Sequence, residues 1–192
     1  MTKTIFGKKL LLIATITVLV TGLTLAATLD DAEAVKPNPQ IKPFNCSSSG
    51  TFNGVALTFS QTGKCSHMGK TTTSGTFVLT GSVVVGSIDC VGIESTNVLT
   101  AANGDTVKMS VTGAQCFFDE NGNAIDATGT FCGTGQAHTS TVDGTYVIDG
   151  GDGRFIDAEG SGTIFSDANH CEGDTFESTI TGTIKYAASN KS

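Results

Sequence analysis

Tryptophan is absent from this 192-residue chain, charged residues make up only 15% of it, and its three prolines all fall between positions 37 and 43. Without tryptophan there is no Cys…Trp…Cys pattern to favour an immunoglobulin domain. Positive charge is scarce: 11 basic against 18 acidic residues give a net charge of −7, which excludes the electrostatic footprint of a nucleic-acid binder. Low charge does not mean disorder here, because 39% of the residues are apolar and disordered segments lack that hydrophobicity. Good helix formers such as Leu, Glu and Lys are sparse, and no stretch beyond residue 34 shows a convincing helical period. Catalytic signatures are missing too. No G-x-S-x-G or other nucleophile motif sets a serine beside a histidine, so a hydrolase reading has no support. What abounds is glycine, 24 residues of it, together with threonine, a composition that leans towards β structure with many turns.

The N-terminus reads as an export signal over residues 1–34. Lys3, Lys8 and Lys9 form a positive region, residues 10–27 form an uncharged stretch rich in Leu, Ile and Val, and Ala32-Glu33-Ala34 supplies a small-x-small cleavage pattern. An uncleaved membrane anchor is the rival reading, since the uncharged stretch borders on spanning length. Residues 35–45 read as a proline-containing tether. The leader carries three lysines and three acids, so its removal leaves the charge at −7.

All six cysteines, Cys46, Cys65, Cys90, Cys116, Cys132 and Cys171, lie beyond the leader. An even number in an exported chain reads as a disulfide framework and places the protein in a secreted or extracytoplasmic compartment. Spacing does not choose the pairing. One local guess is Cys116 with Cys132, which flank the turn signal Asp119-Glu120-Asn121-Gly122-Asn123. The alternative is metal binding by Cys65-Ser66-His67 and His170-Cys171, but there is no C-x-x-C or H-x-x-x-H and the disulfide reading is preferred, with no metal and no cofactor expected. His138 stands in a polar stretch without a ligand-like neighbour.

From residue 50 onward, short runs rich in β-branched residues are broken by Gly, Asn or Asp roughly every 8 to 12 residues, the pattern of an all-β sandwich or barrel. Candidate strands are 51–60, 75–85, 96–101, 106–112, 128–136, 144–149, 154–159, 162–166 and 176–186. In the last, Phe176, Ser178, Ile180, Gly182, Ile184 and Tyr186 share one face; in 106–112, Val107, Met109 and Val111 point inward. Gly54, Gly81, Gly113 and Gly182 predict bends of the kind that curve a closed barrel. The expected fold is a small closed antiparallel barrel of about eight strands over residues 46–188, after an N-terminal hydrophobic signal helix, with a two-sheet sandwich as runner-up.

The most specific stretch runs from Gly144 to Ile164, with Gly150, Gly151, Gly153, Phe155, Gly160 and Gly162 at its centre. It is neither a phosphate loop, since no Lys-Ser/Thr or helix follows, nor a calcium nonapeptide repeat. It resembles the G-G-T-G-x-F-x-G-A-x-G-x-G pattern of the allene oxide cyclase and dirigent-like barrels, and is closest to their uncharacterised exported bacterial and archaeal relatives. Thr62-Gly63-Lys64-Cys65-Ser66-His67-Met68-Gly69-Lys70-Thr71 and Leu99-Thr100-Ala101-Ala102-Asn103-Gly104-Asp105-Thr106 resemble two further segments of those relatives. Asp152, Met68 and Ile156-Asp157 depart from the pattern. The resemblance implies an eight-stranded barrel of lipocalin-like shape and carries over no catalytic residue.

Weaker signals accompany it. Asp152, Arg154, Asp157 and Glu159 form a charge cluster that reads best as a solvated hairpin with Arg154 paired to a neighbouring carboxylate. Asp119, Asn121, Asn123 and Asp126 offer oxygens to calcium, but without an EF-hand's glycine and terminal Glu they read as a plain turn. Asn45-Cys46-Ser47 fits the glycosylation pattern. The sequence therefore supports an exported, disulfide-stabilised barrel that binds or has a structural role at or outside the cell surface. The alternative is a cyclase, isomerase or carrier that encloses a small hydrophobic ligand. Membrane contact is expected only through an uncleaved leader.

Overall fold

The computed structural model describes residues 39–126 and 131–187. The expected signal helix, and residues 128–130 of the expected strand 128–136, lie outside the described residues. Among the described residues no helix is long and apolar enough to cross a membrane.

The described residues form one antiparallel sheet of nine strands: β1 Gln40–Asn53, β2 Thr58–Cys65, β3 Gly69–Val85, β4 Ile88–Ala101, β5 Thr106–Phe118, β6 Ala124–Ile125, β7 Thr139–Asp152, β8 Glu159–Asn169 and β9 Thr175–Tyr186. Each of β1 to β5 pairs with the next, β5 passes to β7, then β8 and β9 follow, and β9 returns to β1 through Gln40↔Tyr186 to Thr51↔Thr175. Eight strands thus close into a ring, and the two-residue β6 hangs on the end of β5. The all-β reading holds.

Period-two alternation builds the wall. On β5, Val107, Met109 and Val111 are buried between exposed Lys108, Ser110 and Thr112; on β9, Ser178, Ile180, Ile184 and Tyr186 are buried. Phe44, Leu99, Ile148, Ile164 and Phe155 complete a continuous core. Full burial of each such side chain contributes about 1.5–3 kcal/mol, so the inward stripe fixes the register of every strand.

Several elements differ from expectation. Residues 51–60 are not one strand: Asn53 Oδ1 accepts the amides of Val55 at 3.0 Å and Ala56 at 2.9 Å, which turns the chain between β1 and β2. Gly54 belongs to that turn, whereas Gly81, at φ +124, sits at a bulge in β3. The tether's last residues, 40–45, run inside β1, because Phe44 is fully buried opposite Gly182. Residues 131–138 form a loop with one bridge, Phe131↔Ala137, and 154–159 begin as a 3₁₀ turn, Gly153–Phe155. In both places glycine or an apolar anchor overrides strand propensity.

The two ends of the ring differ. At one end lie the β2–β3 turn, the β4–β5 turn and the β7–β8 connection. At the other lie the β1–β2 turn, the β3–β4 hairpin, the excursion from β5 to β7 and the β8–β9 loop.

Candidate functional site

The three segments singled out by the sequence meet at the first end. Arg154, from the glycine-rich stretch, donates through Nη2 to the His67 carbonyl at 2.6 Å and sets Nε 3.1 Å from Asp105 Oδ2, an ion pair without hydrogen-bond alignment. Its guanidinium also lies 4.8 Å from the Phe155 ring centre. Asp105 is held in turn by Asn103 Nδ2 at 2.8 Å. Gly153, at φ +67, must be glycine twice over, since a Cβ there would also strike the Asp105 carboxylate. Beneath this clamp Phe155 is fully buried, 4.9 Å from the Tyr186 ring, and Met68, Ala101 and Ala158 pack into the same cluster. The clamp is a stopper.

The charge cluster of the sequence is therefore spread out. Arg154 pairs with Asp105 on another turn, Asp152 accepts from Thr106 Oγ1 at 2.9 Å and lies 3.8 Å from Lys108, Glu159 meets Lys185 at 3.3 Å, and Asp157 is exposed.

Above the stopper, glycines act as clearances. A Cβ on Gly162 would come within 2.8 Å of Tyr146 Cε1, one on Gly182 within 2.5 Å of its hydroxyl, and one on Gly160 within 3.0 Å of Ile148 Cδ1. In all three a Cβ would first strike a backbone carbonyl of the paired strand, those of Thr181, Ser161 and Thr183 respectively; Gly162 and Gly182 in addition leave room for the Tyr146 ring, which sits edge-on to Phe44 at 6.3 Å. The sequence marks Gly182 as a bend and Gly160 and Gly162 as part of the glycine-rich stretch; only the order β7, β8, β9 in the sheet reveals what they accommodate. Burial pushes the Tyr146 pKa up to about 12. The Tyr146 hydroxyl and Asn97 Oδ1 are both buried without a hydrogen-bond partner. They rise from β7 and β4, while Gln61 Oε1 accepts from Ser48 at 3.0 Å and Ser178 at 2.8 Å on another part of the wall.

The second end is aromatic. His170 stacks on Phe131 at 4.4 Å and meets Phe52 edge-on at 5.1 Å and Phe117 at 5.7 Å. Its Nε2 lies 2.9 Å from Ser140 Oγ, which also accepts from Gln115 Nε2 at 2.9 Å. The serine hydroxyl has a second lone pair and its own proton left for the histidine, so the imidazole tautomer sets the direction of that bond. Desolvation lowers the His170 pKa, and the Asp174 charge opposes that shift. This serine–histidine contact joins residues from β7 and the β8–β9 loop, so no local motif announced it. Ser140 is fully buried, which closes it to a substrate in this arrangement.

All six cysteines are bridged, as Cys46–Cys65, Cys90–Cys116 and Cys132–Cys171, with Cα separations of 4.1, 4.5 and 5.4 Å. The expected Cys116–Cys132 pair is therefore wrong. The strand opposite Cys116 is β4, whose Val91↔Gln115 register brings Cys90 alongside, and the turn at 119–123 leads only into the two-residue β6. No group of three metal-ligating side chains occurs among the described residues. Asp119 is occupied as a turn cap, accepting the amides of Asn121 at 2.9 Å and Asn123 at 2.8 Å, and these bonds, with the Asn123 side chain foremost, lower its pKa. His138 lies 4.0 Å from Glu120, whose carboxylate caps the Gly135 amide.

A surface concavity on the wall is lined by Ile41, Val147, Glu159 and Lys185, and another beside the excursion is lined by Glu120, His138 and Glu172. No family model, curated protein or solved structure matches the chain.

Proposed function

We propose that this is an exported β-barrel of lipocalin-like shape, related to the allene oxide cyclase and dirigent-like group, that works by binding or structural interaction at or outside the cell surface. The observation that carries this reading is the stoppered ring. Tyr146, Phe44, Phe155, Leu99, Met109, Ile184 and Val107 are all essentially fully buried in its interior, and three turns are tied across its end by Arg154. These large side chains project into the space that an enclosed apolar ligand would need. The bridging of all six cysteines supports an oxidising compartment.

A second reading, a carrier or cyclase, draws on one observation: the Tyr146 hydroxyl and Asn97 Oδ1 are buried without partners, and a polar group on an enclosed ligand would satisfy them. Titration of the folded protein with an environment-sensitive apolar fluorophore separates the two. The structural reading expects no saturable uptake; saturable one-to-one uptake abolished by Tyr146→Phe would replace it with the carrier. For the exported state, mass spectrometry of the protein from its native host should find a chain starting at Val35, and an intact Met1 would refute cleavage.

A further inference from the structure

We propose that the free edge of β3 is a self-association surface through which two copies of this chain pair their sheets across a two-fold axis at Gly81. β2 covers β3 only from Gly69 to Thr76. The Phe77 amide finds the Leu57 carbonyl at 3.0 Å, and no described strand pairs beyond that point on the side away from β4. The hairpin continues to Val85 and exposes Val78 and Leu79 (51% each), Val83 (37%), Val84 (67%) and Val85 (43%). An exposed, apolar, unpaired edge is a template for another strand, and proteins usually defend such edges with lysine, proline or other charges. Here the chain has no charged residue between Lys70 and Asp89 and no proline beyond Pro43.

Three features select a second copy as the occupant. First, Phe77-Val78-Leu79-Thr80-Gly81-Ser82-Val83-Val84-Val85 is a chemical palindrome. Antiparallel pairing of two identical strands about Gly81 sets Val78 against Val84, Leu79 against Val83, Thr80 against Ser82 and Phe77 against Val85, apolar on apolar and hydroxyl on hydroxyl. A two-fold contact requires such self-complementarity. Second, the bulge between Leu79 and Gly81 bends the edge. A bend keeps a straight foreign strand away, but two copies related through Gly81 bend at the same place and stay matched. A Cβ on Gly81 would meet nothing within 4 Å in its own chain, so the approach at the axis is open. Third, a chain of net charge −7 repels its own copies, and this uncharged stretch lets two of them meet without opposing like charges.

Sedimentation equilibrium of the purified, oxidised protein tests the proposal. The wild type should form a dimer, with hydrogen exchange at amides 78–84 slowed as concentration rises through the dimer range. Val84→Lys, at an exposed position, should keep the native circular dichroism spectrum and raise the dimer Kd at least about tenfold, while Val147→Lys on the outer face of β7 should leave it unchanged. If Val84→Lys fails to fold, Leu79→Thr replaces it with the same expectation. A wild type that stays monomeric at high micromolar concentration, a dimer unaffected by either edge variant, or open-ended oligomers in place of a dimer would each overturn the two-fold edge pairing.

Discussion

Replacing Tyr146 with phenylalanine should make the protein more stable, by about 1–2 kcal/mol. The hydroxyl is buried and has no hydrogen-bond partner, and a polar group left in that state costs about 1–3 kcal/mol. The ring itself stays packed on Phe44 and over the clearances at Gly162 and Gly182, so the substitution subtracts only the oxygen. In a domain of this size a gain of 1 kcal/mol moves Tm by about 2–4 °C. Urea unfolding with the disulfides intact should show a higher midpoint at an unchanged m-value. The variant should also lose an alkaline transition. Burial raises the hydroxyl's pKa from its ordinary 10.0 to about 12, so the folded state holds this proton more tightly than the unfolded state. That stabilisation is whole below pH 10 and falls by about 1.4 kcal/mol per unit as pH rises towards 12. Gly182→Ala supplies the steric control. Its Cβ would reach 2.5 Å from the hydroxyl and 2.7 Å from Gly162 Cα, an overpacking cost of about 1–3 kcal/mol that Tyr146→Phe should relieve only in part. Should Tyr146→Phe instead lose about 1 kcal/mol or more, the hydroxyl has a partner in solution and this account of the interior fails.

Arg154→Ala should cost about 1.5–3 kcal/mol, the range of a charge-assisted hydrogen bond. Arg154→Lys should recover little of it, because one ammonium does not span both Asp105 and the His67 carbonyl; thermal unfolding and hydrogen exchange at the β2–β3 turn give the comparison. Acidification should weaken the protein through His170, whose folded pKa lies below its unfolded value. That contribution is complete above about pH 6.5 and lost as pH falls towards the folded value, so the difference between the stability–pH curves of the wild type and His170→Phe should reveal it. Removal of the Cys132–Cys171 bridge by a double Cys→Ser change should be the costliest of the three such changes, about 4 kcal/mol on loop-closure entropy. Its cysteines stand 39 residues apart against 19 and 26 for the others, and equal urea midpoints for all three variants would refute that ordering.

Much of the wall was legible in the sequence because period two is a local signal. Val107, Met109 and Val111, and the face from Phe176 to Tyr186, declared their orientation within a few residues. Three features were not local and stayed hidden. Cys116 finds Cys90 because β4 is its neighbour in the ring, a fact that spacing around the 119–123 turn cannot carry. Ser140 and His170 meet because β7 and β8 run side by side. Arg154 read as a member of an acidic hairpin, yet its partners come from two other turns. The glycines were recognised, but not what surrounds them: a Cβ on Gly162 or Gly182 would strike the backbone of the paired strand and also the Tyr146 side chain from β7.

The joint between β1 and β9 imposes an order of events on the growing chain. β1 is the first strand of the ring and β9 the last, and they are bonded from Gln40↔Tyr186 to Thr51↔Thr175. However the chain is delivered, β1 can complete its ladder with β2 early, while its other edge waits for the final strand. At a synthesis rate of about 5–20 residues per second, that wait is on the order of ten seconds, far longer than the microseconds in which a hairpin forms. Through that interval the half-built sheet has two open sides and no stopper, since Arg154 and Phe155 also arrive late. A protein with this closure is therefore most vulnerable to a misplaced strand just before it is finished.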